Sequence, residues 1–428
     1  MPPSNDHWNP TPPPDSDLDD HGVTLKGQAL AGKEIALLVC GGIAAIKAPL
    51  LARELRRQGA GVTVFVSEEA LRYTTVDSLA WSSDRPVITT LSARSEHLSG
   101  RTPFDACLVA PATYNTLNKF RHGIADSLLT TFLASALGKQ ERGQTQILVA
   151  PTLHGSMHNG ILIESLNQLQ DLGITVIPPL QAEGKDLLPD LEEIVMRTAR
   201  ALSHSRLRGQ AVLVTGGPTP VPLDGIRRLT NRFTGQLGVE IAKALWLSGA
   251  EVKLILGQSG LLPPSWLPHV IVPDYASYHS SVLETLASQP YQAGIFSAAV
   301  ADYAPAQVFD GKLPSGQQEM VFKLAPTAKV IQEVRSQFPE LALISFKFEQ
   351  NLSHAALMEI AQSRLAQGHA AVVANRAEEQ THEQAHEQVA WLVSPGEKEQ
   401  RLQGKAGIAQ ALCHWLENHL IQRPGQWV

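Results

Sequence analysis

The sequence predicts an α/β protein built from two doubly wound, Rossmann-like domains in tandem. Three observations carry this. A strand–glycine–helix–strand pattern opens at Glu34 and recurs at Ala211. Interior strands are continuous apolar runs, such as ACLVA (106–110) and ILVA (147–150), which suit parallel strands covered on both faces. The two patterns join near residue 205, and the halves share architecture without repeating sequence.

The first thirty residues are rich in Pro and Asp and poor in core-forming side chains. Such a stretch buries too little apolar surface to offset its ordering entropy, so 1–31 reads as a disordered tail. Order begins near Lys33. EIALLVCGG is a strand closed by glycines, and AAIKAPLLARELRRQG is an amphipathic helix with Ile46, Leu50, Leu51 and Leu55 toward one face. VTVFVS completes a βαβ unit. FDACLVAPAT and ILVAPTL are further strands, LGITVIPP is a short last one, and LEEIVMRTARALSHSRL is a helix leading out. The first domain is therefore 32–205 and the second 206–428. In the second, AVLVTGG is a strand, GQLGVEIAKALWLSGA a helix and EVKLILG the next strand. AGIFSAAVADY, LALISFKFE and HAAVVAN supply more strands, with AKVIQEVRSQF and HAALMEIAQSRLAQG as helices between them. QVAWLV is expected at the sheet edge.

Composition narrows the function. The chain has 428 residues, 43% of them hydrophobic and 18% charged, as in globular domains with sizeable cores. A net charge of −6 disfavours a nucleic-acid partner, which calls for a basic face. Three scattered cysteines, Cys40, Cys107 and Cys413, suit buried thiols rather than a disulfide framework or a zinc site. No apolar run approaches membrane-spanning length, and the N-terminus lacks signal-peptide features, so a cytoplasmic protein without a membrane partner is expected.

The most informative segment is 211–238, AVLVTGGPTPVPLDGIRRLTNRFTGQLG. A strand stops at Gly216-Gly217-Pro218, a polar loop carries Asp224, Arg227 and Asn231, and Thr234-Gly235 opens a helix. This brings backbone N–H groups to a phosphate-bearing ligand larger than one pyrophosphate. In the first half, Gly41 and Gly42 allow the same approach. The block APATYNTLNKFRHGIADSLLTT puts small residues before Asn115, which is able to bond the edge of a flat ring; Thr113 or Asn115 as an ordinary helix cap is the alternative.

GGIAAIK, APATYNTLNKFRHGIADSLLTT and a Pro-x-x-x-x-x-Met segment resemble the flavin-binding cysteine decarboxylases. TGGPTPVPLD, IRRLTNRFTGQLG and SAAVADY resemble phosphopantothenate–cysteine ligase. In this order they resemble the bifunctional phosphopantothenoylcysteine decarboxylase/phosphopantothenate–cysteine ligase family of coenzyme A synthesis, from Lys33 onward. The resemblance implies a flavodoxin-like domain holding FMN through Gly42, Ile43, Ala44, Ser67, Thr113, Asn115 and Lys119. His97, eight residues before Asp105, takes the place of the catalytic base. His154 stands where the family has the Asn that binds the substrate carboxylate, with Met157 at the end of that segment, and Tyr114 replaces a small residue near the flavin. The later flap, QAEGKDLLPDLEEI, lacks the family's proton-donating Cys.

For the second half the resemblance implies a ligase. The carboxylate of 4′-phosphopantothenate attacks the α-phosphate of a nucleotide, pyrophosphate leaves, and the amine of cysteine displaces the nucleotide. Alignment and charge stabilisation suffice, with Mg²⁺ and CTP, or ATP, as the co-substrate. Asn231 faces the acyl-nucleotide and Arg227 precedes it. Phe296, Ser297 and Ala298 lie near the base, Asp302 on the nucleotide, and Phe346 packs beside it. Lys312 is the mobile-loop cation. Arg364 is the basic residue before VVAN, with Gln367 at the second family Lys position, and Lys347 is an added cation. The resemblance also implies a homo-oligomer: ligase dimers and decarboxylase trimers, together a dodecamer. Two readings stay open for the first half, a decarboxylase or a flavin-binding regulatory or structural homologue. The His382-Glu383-Gln384-Ala385-His386 segment matches a zinc-protease pattern but is polar on every face, so it reads as a solvated connection.

Overall fold

The computed structural model describes residues 11, 15–98, 103–316, 318–379 and 388–420. The chain divides into two compact units, Met1–Leu202 and Ser203–Val428.

In the first unit, strands β1 (Glu34–Val39), β2 (Gly61–Val66), β3 (Ala106–Ala112), β4 (Gln146–Pro151) and β6 (Thr175–Val176) form one sheet. β5 (Leu153–His154), β7 (Leu180–Ala182) and β8 (Lys185–Leu187) form a separate antiparallel sheet in the order β5-β8-β7. The large sheet runs β2-β1-β3-β4-β6 with every pairing parallel. That is the flavodoxin-like order, and its switch point lies between β1 and β3. Helices α1 (Ala48–Arg57), α2 (Val76–Ser83), α3 (Tyr114–Arg121), α4 (Leu128–Gln140), α5 (Gly160–Asp171) and α6 (Leu191–Ala201) complete the unit. Phe65, Phe132, Leu117 and Leu133 pack in a core with the inner residues of β3 and β4.

Two sequence expectations are corrected here. Ile46 and Leu50 are 54% and 58% exposed, while α1 buries Ala48, Leu51, Ala52 and Leu55. The buried set follows the i, i+3, i+4, i+7 spacing of one face, whereas Leu50 is turned about 100° from Leu51 and Ile46 belongs to the preceding 3-10 turn. The end of the presumed tail is also part of the unit. Leu30 is fully buried, and the amides of Lys26 and Leu30 donate to the carbonyls of Arg57 and Gln58 at the end of α1. One leucine and a few backbone bonds anchor a segment that composition alone reads as unstructured. Residues 1–10 and 12–14 lie outside the described residues.

The second unit contains β9 (Ala211–Gly216), β10 (Val221–Pro222), β11 (Arg228–Leu229), β12 (Glu251–Gly257), β13 (His269–Val272) and β14 (Ala293–Phe296). It continues with β15 (Tyr303–Pro305), β16 (Leu324–Pro326), β17 (Ala342–Glu349), β18 (Ala371–Arg376), β19 (Val389–Val393) and β20 (Gln400–Gln403). Its helices are α7 (Gln236–Leu247), α8 (Tyr275–Ser288), α9 (Val330–Gln337), α10 (His354–Ala366) and α11 (Gly404–His419). The main sheet runs β13-β12-β9-β14-β17-β18-β19-β20. Its first six strands are parallel and follow the dinucleotide-fold order 3-2-1-4-5-6, with the switch point between β9 and β14. β19 and β20 add antiparallel. QVAWLV is therefore an inner strand; polar β20, which alternation hides, covers it.

Candidate active sites

Each switch point carries glycines where the backbone comes close to a neighbour. In the first unit, β1 is followed by Gly41-Gly42, and a Cβ at Gly42 would lie 3.5 Å from Thr113 Cγ2, across the crevice between β1 and β3. The 3-10 turn Ile43–Lys47 starts there, and its first amides have no intrahelical acceptor. Ile43 is 67% exposed. Ser67 caps the turn after β2 by accepting the Ala70 amide at 3.2 Å. Thr113, not Asn115, caps α3, accepting the Thr116 amide at 3.4 Å. Asn115 is exposed beside it. Lys119 pairs with Asp126 at 2.7 Å. Free amides, an exposed apolar side chain and an exposed Asn at this crevice suit a flat, phosphate-bearing ring system such as a flavin.

The structure brings Gly42, Ile43, Ala44, Ser67, Thr113 and Asn115 to one end of the sheet, but not His97. His97 lines a small cavity with Phe104, Cys107, Phe132, Ala136, Lys139 and Thr145, at the start of β3 and β4. Thr113 follows the other end of β3, about 20 Å away at the usual rise of a strand. The His97 Nδ1 is buried and has no hydrogen-bond partner among the described residues. His154 is exposed, and its Nδ1 accepts the Ser156 amide at 3.3 Å; Met157 is 41% exposed. All three cysteines are buried, and burial pushes Cys107 and Cys413 up to about 12, as inert thiols require.

The second unit encloses a cavity of about 500 Å³ at its switch point. Gly235, with φ +86°, stands where a Cβ would meet the Gly217 amide at 2.7 Å. A Cβ on Gly238 would lie 3.0 Å from Gly216 Cα, so α7 crosses directly against β9. The segment after β14 is pinned from several sides. Ser297 Oγ donates to the Thr215 carbonyl at 2.6 Å, the Ala301 amide to Thr219 Oγ1 at 2.8 Å, and Thr327 Oγ1 to the Ala301 carbonyl at 2.6 Å. Tyr278 donates its hydroxyl to Thr215 Oγ1 at 3.2 Å, and burial raises its phenol to about 12.

Phe296, Ser297, Ala298, Asp302, Phe346, Lys347 and Arg364 all line this cavity. Three of the proposed residues stand outside its wall. Asn231 Nδ2 donates to the Ala299 carbonyl at 2.8 Å, which fixes it beside the mouth. Arg227 pairs with Asp224 at 3.2 Å and reaches the Leu313 carbonyl at 3.3 Å. Lys312, next to Leu313, is exposed. Sequence reasoning missed Arg232, Lys329 and Lys405, cations that line the cavity; Lys329 pairs with Asp302, and Lys405 bonds Gln236 at 2.7 Å. Arg232 lies within the 211–238 segment, one residue after Asn231, whereas no motif signals Lys329, at the start of α9, or Lys405, on α11, which come in from far along the chain. Among the described lining residues five are Lys or Arg and one, Asp302, is acidic, so the cavity attracts a polyanion. Lys347 pairs with Glu349 at 2.6 Å. Burial lowers the Arg364 guanidinium, and the nearby Glu349 and Asp302 oppose that shift. No group of three or more His, Cys, Asp or Glu able to hold a metal occurs among the described residues, and the His382–His386 pattern lies outside them. No helix among those residues is long and apolar enough to cross a membrane.

A flavodoxin-like unit followed by a Rossmann-ordered unit with a basic cavity defines a two-domain α/β flavoprotein. Family models agree: residues 24–203 match "Flavoprotein", and 207–420 match "DNA/pantothenate metabolism flavoprotein C-terminal domain". The chain is 36% identical over 357 residues to the coenzyme A biosynthesis bifunctional protein CoaBC of Thermococcus kodakarensis, covering 82% of this chain and 87% of that one. It is 30% identical over 353 residues to the Bacillus subtilis protein of the same name, covering 78% and 85%. A solved DNA/pantothenate metabolism flavoprotein from Streptococcus pneumoniae is 26% identical with a TM-score of 0.44, covering 49% of this chain and all of that one. The chain belongs to the bifunctional coenzyme A biosynthesis family.

Proposed function

We propose that this protein ligates cysteine to 4′-phosphopantothenate in its second unit and decarboxylates the product in its first. The observation that carries the ligase reading is the cavity with five cations and one acid at the β9/β14 switch point. A nucleoside triphosphate, CTP or ATP, would lie with its base toward Phe296–Ala298 and Phe346 and its phosphates among Lys329, Lys347, Arg364 and Lys405. The pantothenate carboxylate attacks the α-phosphate, pyrophosphate leaves, and an acyl-nucleotide forms. The cysteine amine then attacks the acyl carbon and nucleoside monophosphate leaves. The protein contributes alignment and charge stabilisation, with no covalent step of its own. Asn231 is the residue for the acyl phosphate, and Lys312 closes over the leaving pyrophosphate. Mg²⁺ would arrive on the nucleotide phosphates.

In the first unit, Gly42, Ile43, Ala44, Ser67, Thr113 and Asn115 would hold FMN. The flavin, when bound, supplies reversible oxidation of the cysteinyl thiol, which makes the neighbouring carboxylate labile. His97 serves as base only if a second copy brings it to the crevice, because it lies a strand length from its own chain's Thr113. That supports a homo-oligomer, and a dodecamer of dimers and trimers satisfies both units. His154 and Met157 would face the substrate carboxylate. A cytoplasmic enzyme acting on these small molecules, without nucleic-acid or membrane partners, completes the reading.

The test supplies 4′-phosphopantothenate, cysteine, Mg²⁺ and either CTP or ATP to FMN-loaded protein. Pyrophosphate release that depends on phosphopantothenate, followed by CO₂, is the expected result. Absence of pyrophosphate with both nucleotides removes the ligase assignment. Bound FMN with no CO₂ leaves the first unit as a flavin-binding homologue.

A further inference from the structure

The small β5-β8-β7 sheet holds an acid–imidazole pair that no sequence motif announces. Asp186, on β8, is 5% exposed. Its Oδ2 lies 2.8 Å from His158 Nδ1, and its Oδ1 accepts from Gln181 Nε2 at 3.3 Å. His158 follows the segment after β4, at the end of the large sheet where Gly42 and Thr113 lie. The next residue, Asn159, caps α5 and accepts the Tyr114 hydroxyl at 3.4 Å, which ties this segment to α3. The His158 side chain is 42% exposed, and its Nε2 has no protein partner among the described residues. A carboxylate bonded to Nδ1 fixes the ring's orientation and tautomer, leaving Nε2 to exchange a proton. The other ionisable groups of this small sheet are His154 and Lys185, opposite one another in register, and Glu183 in the tight turn.

We propose that His158, oriented by Asp186, delivers the proton that replaces CO₂ on the substrate. This rests on the decarboxylase reading. The overall reaction breaks a C–CO₂⁻ bond, makes a C–H bond and consumes one proton. Two electrons leave the thiol-bearing carbon at the start and return to it as hydride at the end, so the flavin finishes in its starting state. The carbon that lost CO₂ takes its proton from Nε2 of the His158 imidazolium, and a proton from water restores the imidazolium. The 180–187 segment contains no Cys to do this. His97 lies at the far end of its own sheet.

The test compares full-length, FMN-loaded wild type, His158→Asn and Asp186→Asn with 4′-phosphopantothenoylcysteine. In His158→Asn, CO₂ release stops after about one equivalent per bound FMN, the product is the unsaturated enethiol, about two mass units lighter than the saturated thiol by the stoichiometry above, and the flavin band stays bleached. Asp186→Asn shifts the product ratio the same way by a smaller factor. In the FMN-free protein, nitrogen NMR shows the His158 tautomer populations change in Asp186→Asn. Saturated thiol at the wild-type rate from His158→Asn overturns the assignment. If that variant fails to fold or to bind FMN, Asp186→Asn decides, and an unchanged product ratio there overturns it. A wild type that binds FMN and releases no CO₂ removes the decarboxylase reading and this assignment together.

Discussion

The buried carboxylate of Asp224 accepts the backbone amide of Leu313 at 3.0 Å, and so ties the loop that carries Lys312 to the loop that carries Arg227. The same carboxylate accepts the amides of Ile226 at 2.8 Å and Arg227 at 2.5 Å. The Gly225 amide adds a bond to the Gly311 carbonyl at 2.8 Å. The amides of Arg227, Leu313 and Ile226, with the Arg227 guanidinium, pull the Asp224 carboxyl down to about 2. Its anchoring is therefore complete above the unfolded value of about 3.9 and fades as pH falls toward 2. Asp224→Ala frees the Lys312 loop, and pyrophosphate release at saturating nucleotide falls about tenfold or more. Asp224→Asn, which keeps an acceptor oxygen, loses less. Proteolysis of the 310–316 loop separates the two variants independently of turnover.

Asn231 depends on its amide. Its Nδ2 donates to the Ala299 carbonyl, and its Oδ1 accepts the Phe233 amide at 3.2 Å. Asn231→Asp loses the donor and sets a carboxylate against a carbonyl beside an anion-binding cavity. Ligase turnover drops about tenfold, by the usual cost of a hydrogen bond lost at a partly buried site. An unchanged rate of pyrophosphate release removes Asn231 from the machinery.

Lys329 pairs with Asp302 on the cavity wall. Lys329→Met deletes one phosphate-attracting charge and frees the carboxylate. The KM for nucleotide rises about tenfold while kcat changes less, the pattern of lost ground-state binding. Steady-state kinetics against CTP and ATP measure both parameters.

His369 is buried, with Nδ1 at 2.7 Å from Ser345 Oγ. Burial, then Arg364 and Arg335, lower its imidazole to about 4. The unfolded chain, with an ordinary value of about 6.5, takes up the proton first. Stability is thus lost as pH falls from about 6.5 toward about 4. His369→Gln flattens that slope, which melting curves at pH 7 and pH 5 reveal.

Leu30→Ala tests whether the segment before β1 belongs to the domain. The side chain is fully buried, so the variant loses about 2–4 kcal/mol in urea unfolding of the first unit. A change below about 0.5 kcal/mol, as for an ordinary surface site, contradicts that packing.

Much of this protein was legible without coordinates. Apolar runs and strand-end glycines marked β1, β3, β4, β9, β12, β14, β17 and β18. Gly235, Asp302 and the 211–238 segment pointed to residues that line the cavity at the β9/β14 switch point. Periodicity weighed Ile46 wrongly because it belongs to a 3-10 turn ahead of α1, and Leu50 wrongly because it lies about 100° from Leu51, off the face that α1 buries. Alternation passed over β20 because only Leu402 among its residues is buried.

By itself, the sequence determined the local repertoire: which segments extend, which coil, and where the backbone lacks side chains to let a phosphate approach. Those are properties of neighbouring residues. Tertiary structure decided which distant residues meet. Sheet order carries Lys329 and Lys405 into one cavity, holds His97 at the opposite end of β3 from Thr113, and sets His158 against Asp186. Each of those relationships depends on where a strand is inserted in its sheet, and that is fixed by burial of whole faces rather than by spacing along the chain.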